Sequence, residues 1–170
     1  MREGYGKNFK SIVREEIEEF VLTSNEIMDG IMVPLILMIE NDEDDRLLTK
    51  EHFQMDWPEA LIEFVSPLDL PLRLRQLGRR PQLIILSMSA RPYNGIDLIR
   101  QIREEQGYAS SPIVVLSETA LPEEIRASYS AGASSFIKKP SAYADALAKI
   151  KAFIAYWAHT AELPGPLVSQ

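Results

Sequence analysis

Five short apolar runs, each followed by a stretch with helical spacing, constrain this chain more than any other feature. They lie at residues 35–39, 60–65, 83–86, 113–116 and 135–138. Runs such as Leu83-Ile84-Ile85-Leu86 and Ile113-Val114-Val115-Leu116 are apolar throughout and do not alternate with polar residues. A strand reads this way when helices cover both of its faces, as in a parallel sheet. The intervening segments supply those helices, at residues 42–55, 70–77, 96–105, 122–131 and 142–159. Leu47, Leu48 and Phe53 form the inner face of the first, and Ile96, Leu98, Ile99 and Ile102 that of the third. Gly78 ends the second. Five strand–helix units in this length predict an α/β fold: a doubly wound, five-stranded parallel sheet of flavodoxin-like order 2-1-3-4-5.

The flanks divide the chain into residues 1–32, an N-terminal extension; 33–163, the α/β domain; and 164–170, a flexible tail. Within the extension, Phe9, Ile12, Val13, Ile17, Phe20 and Val21 recur at helical spacing, with Glu15, Glu16, Glu18 and Glu19 between them. That predicts an amphipathic helix over residues 9–28, which must bury its stripe on the following domain or on a second copy. Its acidic polar face argues against a membrane-surface role. Met28 and Met32 leave open a later start of translation. Leu163-Pro164-Gly165-Pro166 cannot continue the last helix.

The formal net charge of −7 opposes non-specific binding to nucleic acid, which depends on Lys and Arg neutralising phosphates. Without cysteine there is no disulfide framework and no thiolate metal site. The longest apolar run, residues 31–39, is shorter than a membrane span and contains Pro34. No secretory signal pattern opens the chain, so a cytoplasmic location is expected.

In an open parallel sheet, ligands bind at the carboxyl ends of the strands, near the point where strand order reverses. That rule selects Glu40-Asn41-Asp42, Ser87, Ser117 and Lys139. Asp44 and Asp45 read as acids favoured by a helix N-terminus. The acidic run is not an EF-hand loop, because Arg46 stands where a glycine is needed. Asn94-Gly95 signals a tight turn. No G-x-G-x-x-G or P-loop pattern follows a strand, which leaves an unrelated flavodoxin-like nucleotide-binding enzyme without a motif. In the last helix, Leu147, Ile150, Ile154 and Trp157 should face the sheet. Phe153 and Tyr156 lie partly off that stripe. Phe153, Tyr156 and Trp157 are interface candidates, and packing beneath the N-terminal helix is the equal alternative.

From about Val33 to Leu163 the chain resembles the receiver domain of two-component response regulators. Leu37-Met38-Ile39-Glu40-Asn41-Asp42 matches the family's apolar strand and acid pair, and Ser87, eight residues before Gly95, falls at the phosphoacceptor. Ser117 matches the hydroxyl residue that senses phosphate. Phe136 matches the switch aromatic, and Lys139-Pro140 the Lys-Pro pair. Phe153-Ile154-Ala155-Tyr156-Trp157 with Glu162-Leu163-Pro164 resembles the stand-alone regulators associated with phytochromes.

The family mechanism, in which a carboxylate on the third strand attacks a phosphohistidine with Mg²⁺ held by it and the acid pair, meets two departures here. Ser87 replaces the nucleophile and Asn41 the second acid. Serine is a poor nucleophile without an adjacent base, and His52 and His159 are predicted on helices away from this pocket. Mg²⁺ needs carboxylate charge or substrate phosphates, so at most weak binding at Glu40 is expected, and no cofactor. Lys139 becomes an ion-pair partner for Glu40. The resemblance therefore implies a degenerate receiver without enzymatic activity. It would act by contact with a sensor kinase or another signalling protein, and as a homodimer through the fourth helix, fifth strand and fifth helix. The alternative is a working phosphorelay receiver, accepting phosphate at Ser87 or a neighbouring acid.

Overall fold

A computed structural model describes residues 33–165. The expected helix at residues 9–28 and most of the tail lie outside the described residues. The architecture below is that of the unit beginning at Pro34.

The five strands are β1 (Leu35–Ile39), β2 (Leu61–Val65), β3 (Leu83–Ser87), β4 (Ile113–Ser117) and β5 (Ser135–Lys138). The helices between and after them are α1 (Glu43–Asp56), α2 (Leu70–Gln76), α3 (Gly95–Glu104), α4 (Pro122–Ala131) and α5 (Tyr143–His159). All strand pairs are parallel, in the order β2-β1-β3-β4-β5. The doubly wound sheet read from the apolar runs is the one observed, with element ends displaced by no more than a residue or two, as is usual at frayed termini.

Successive side chains of a strand point to opposite faces, so each continuous run feeds two cores. On one side Leu37, Ile39, Ile84, Leu86, Ile113 and Val115 pack with Leu98, Ile99 and Ile102 of α3. On the other side Ile36, Met38, Leu83, Ile85 and Val114 pack with Phe53 and Trp57 from the α1 region and Ile154 of α5. Both clusters are hydrophobic, which is why the inner strands β1, β3 and β4 show no polar alternation, while the edge strands carry Glu63 in β2 and Ser135 and Lys138 in β5.

Several details depart from the periodicity reading. Leu47 is 57% exposed, so α1 turns Leu48 and Phe53 inward but not Leu47. Phe153, placed off the stripe of α5, packs on the second core and contacts Phe53 at a ring separation of 6.3 Å. Helical spacing marks a face only to within one residue, and an aromatic ring reaches across that margin. Tyr156 remains 52% exposed.

Two local devices set the loops at the carboxyl end of the sheet. Asn94 caps α3 by accepting a hydrogen bond from the Ile96 amide at 2.8 Å. Gly95 follows because a Cβ there would lie 2.9 Å from the Cα of Met88, so the loop after β3 closes only over glycine.

The two cores differ in tightness. Ile99 is wholly buried, whereas Ile150 of α5 is only partly covered. Truncation to alanine should therefore cost about 4 kcal/mol at Ile99 and about 2 kcal/mol at Ile150, within the usual range for buried aliphatic residues. Urea denaturation of the two variants measures both values.

Candidate functional site

Sheet register brings the four strand ends together. Ile39 pairs with Leu86, so the next residues, Glu40 and Ser87, stand level at the edge. Ser87 in turn pairs with Leu116, and Ser117 with Lys138, which places Lys139 one step beyond. The Lys139 amide donates to the Ser117 carbonyl at 2.7 Å and continues that alignment past the last strand.

Glu40 is only 3% exposed. Its Oε1 accepts from the amides of Asn41 at 2.8 Å and Asp42 at 3.0 Å. Its Oε2 accepts from Lys139 Nζ at 3.1 Å. The backbone carbonyl of Glu40 accepts from Arg46 Nε. A carboxylate out of water is tolerable only when its lone pairs are satisfied in this way.

Lys139 also donates to Asp45, one turn into α1. The ion pair with Glu40 agrees with the reading of the sequence, but the second carboxylate does not, since Asp45 was assigned only to the helix N-terminus. The signal for it was its position on α1: Asp45, Thr49 and Phe53 recur at four-residue spacing, and Phe53 faces the core. An acid on the inward side of a helix needs a partner.

Asp42 caps α1, its Oδ1 accepting from the Asp45 amide at 3.0 Å. Asn41 is exposed, and its side-chain amide donates to the Arg91 carbonyl at 2.6 Å, which ties the loop after β1 to the loop after β3. Ser87 is 1% exposed, and its hydroxyl lies 3.4 Å from that of Ser89. Ser117 is buried and accepts from the Thr119 amide at 3.3 Å. Thr119 donates to Glu124 at 2.7 Å, linking the end of β4 to α4.

Phe136 is half-buried and packs against the first core. His52 is buried in α1 and His159 ends α5, both outside that cluster. Phe153 and Trp157 pack on the core under α5, which leaves Tyr156 as the exposed member of the three interface candidates. Among the described residues, no three His, Cys, Asp or Glu side chains converge as a metal site would require.

Burial acts to lower the pKa of Lys139, but its hydrogen bond to Asp45 and the charge of Glu40 outweigh it, and the net shift is upward. A raised lysine pKa stabilises the fold below the unfolded-state value, and that contribution is lost as pH rises through the folded-state value. Stability carried by Lys139 should therefore be constant through neutral pH and decline in the strongly alkaline range. Tyr108, pushed up to about 12 mainly by burial, adds a decline of the same sign. Lys139→Met should cost about 3–5 kcal/mol, because it strands a buried carboxylate. Adding Glu40→Gln should recover most of that loss. Denaturant titrations across pH check both: the alkaline decline should shrink in Lys139→Met and persist in Tyr108→Phe at a reduced slope.

Comparison with known proteins agrees with this architecture. The chain is 24% identical over 151 residues to the probable methanogenesis regulatory protein FilR2 of Methanothrix harundinacea, covering 85% of this chain and 97% of that one. It is 24% identical over 136 residues to response regulator Rcp1 of Synechocystis, covering 76% and 92% respectively. The Mn²⁺-bound crystal structure of Rcp1 superposes with a TM-score of 0.72 at 22% identity, over 78% of this chain and 99% of Rcp1. Phosphorylated RcpA, a cyanobacterial phytochrome response regulator, gives 0.71 at 24% identity, over the same 78% and 99%. Residues 36–151 match the response regulator receiver domain as a family. With that match across most of the described sheet and helices, the chain belongs to the response regulator receiver family of two-component signalling.

Proposed function

We propose that this chain is a receiver kept for its surfaces, signalling through protein contact without an aspartyl phosphate and without enzymatic activity of its own. The observation that carries the reading is Ser87: a buried hydroxyl at the phosphoacceptor position, whose hydrogen-bonding neighbour among the described residues is another serine hydroxyl and not a base. A serine hydroxyl with no base hydrogen-bonded to it is a poor nucleophile. Ser87, Ser117, Phe136 and Lys139 are then positions inherited from a phosphate switch, and Glu40 with Asn41 the remainder of its acid pair.

The same reading extends to the metal. Rcp1 has been solved with Mn²⁺. Here Glu40 has both oxygens engaged, Asp42 caps a helix and Asp45 is paired with Lys139. Asn41 and Ser87 contribute no charge. Mg²⁺ dehydrates reluctantly and relies on carboxylate charge, so this donor set does not fit it beyond weak binding at Glu40.

The partner is a sensor kinase or another signalling protein, reached in the cytoplasm; among the described residues no helix is long and apolar enough to cross a membrane. The acidic balance disfavours nucleic acid. A homodimer through α4, β5 and α5 is supported by Leu121, Tyr129, Tyr143 and Tyr156, large side chains left exposed on those helices and their approaches.

Two measurements bear on this. Mass spectrometry after incubation with acetyl phosphate and Mg²⁺ should show no phosphate adduct, while a receiver with an intact acid pocket is labelled alongside; an adduct on Ser87 or a neighbouring acid would support the phosphorelay alternative. Light scattering on a sizing column should give a dimer that Tyr129→Glu with Tyr156→Glu converts to monomer, and a concentration-independent monomer of the native chain would contradict the assembly.

A further inference from the structure

The second core of the domain is incomplete. Between α1, α5 and the sheet lies a cleft of about 150 Å³, floored by Met38, Ile85 and Ile137 and walled by Leu48 and Phe153. Its cause is local: where α5 passes over β5 it presents Ala146, a methyl group in place of a side chain long enough to meet Leu48. On the other face of the sheet, Leu98, Ile99 and Ile102 of α3 are wholly buried.

The polar groups at the cleft are few and unequal. Asp45 and Lys139 line it as an ion pair, with Lys139 shared between Asp45 and Glu40. Lys149 stands at the rim, donates to the Lys138 carbonyl at 2.8 Å, and has no carboxylate within ion-pair distance among the described residues. Thr49 faces the same space, and its hydroxyl bonds to no other described residue. Among the described residues lining the cleft, Lys149 is thus the cation without a carboxylate partner, at the mouth of an apolar chamber. An apolar cavity of roughly this size admits a single benzene-sized ring.

We propose that this cleft binds a small monocyclic aromatic acid, its ring on Met38, Ile85 and Phe153 and its carboxylate at Lys149 and Thr49. Such a ligand would lie against the Asp45–Lys139 pair and so touch the machinery that closes the strand ends. The site is separate from the Ser87 position, and it stands whether or not that position accepts phosphate.

Benzoate, with benzyl alcohol as its neutral counterpart, tests the assignment in NMR titrations of the full isotope-labelled chain. The expected result is saturable benzoate binding with shifts centred on Met38, Leu48, Ile85 and Ile137, and at least tenfold weaker binding of benzyl alcohol. Lys149→Met should bring benzoate down to the level of the alcohol, and Ala146→Phe should abolish both. Ile137→Phe fills the same space from the sheet and replaces Ala146→Phe if that variant does not fold. The proposal is overturned by the absence of saturable shifts in the native chain, as when the chain's own residues occupy the cleft. Equal affinity for acid and alcohol, or binding that persists in a folded filled variant, overturns it as well.

Discussion

Lys139 joins three elements that lie far apart in the chain. Its ammonium reaches Glu40 at the end of β1 and Asp45 in the first turn of α1, while its own amide is bonded to the end of β4. Glu40 is buried at a place where an unpaired carboxylate would cost several kcal/mol. Its burial is tolerable because two backbone amides and Lys139 take up its oxygens. The loops after β1, β4 and β5 are held in position by that single arrangement, and the rest of the strand-end geometry follows from it.

The charge balance of the strand ends follows as well. Where an acid pair and an acidic phosphoacceptor would carry surplus negative charge for a cation and a phosphate, this chain has Asn41 and Ser87. Of the remaining carboxylates, Glu40 and Asp45 share Lys139, and Asp42 caps α1. Asn41 contributes structure instead of charge, bonding the loop after β3 through the Arg91 carbonyl. The fold of the family is kept, and in the proposed reading the electrostatics of its switch are changed.

Much of this was legible in the residues. The continuous apolar runs specified a parallel sheet because a strand covered on both faces has no polar side to show, and strand order then brought Glu40, Ser87, Ser117 and Lys139 to one edge. Lys139 with Glu40 was readable as a pair because the two were the opposite charges left there. Asp45 was missed because three consecutive acids at a helix start all satisfy the helix dipole, and composition does not reveal which of them turns inward. Leu47 turns outward and Phe153 reaches the core because periodicity locates a helical face to within one position, and packing decides the remainder. The cleft beside Ala146 could not be read at all, since a void depends on the separation of two helices and leaves no mark on either one alone.

The central proposal is that the carboxylates at the strand ends are engaged within the protein and hold a divalent cation at most weakly. The most direct measurement is a Mg²⁺ titration of the native chain, followed by NMR, beside the variant carrying Asn41→Asp and Ser87→Asp. The account predicts no saturable shifts at Glu40 or Ser87 in the native protein up to millimolar Mg²⁺, and saturable binding in the variant, whose fold is unchanged and whose acids are restored. Saturable submillimolar Mg²⁺ binding at Glu40 in the native chain would contradict it.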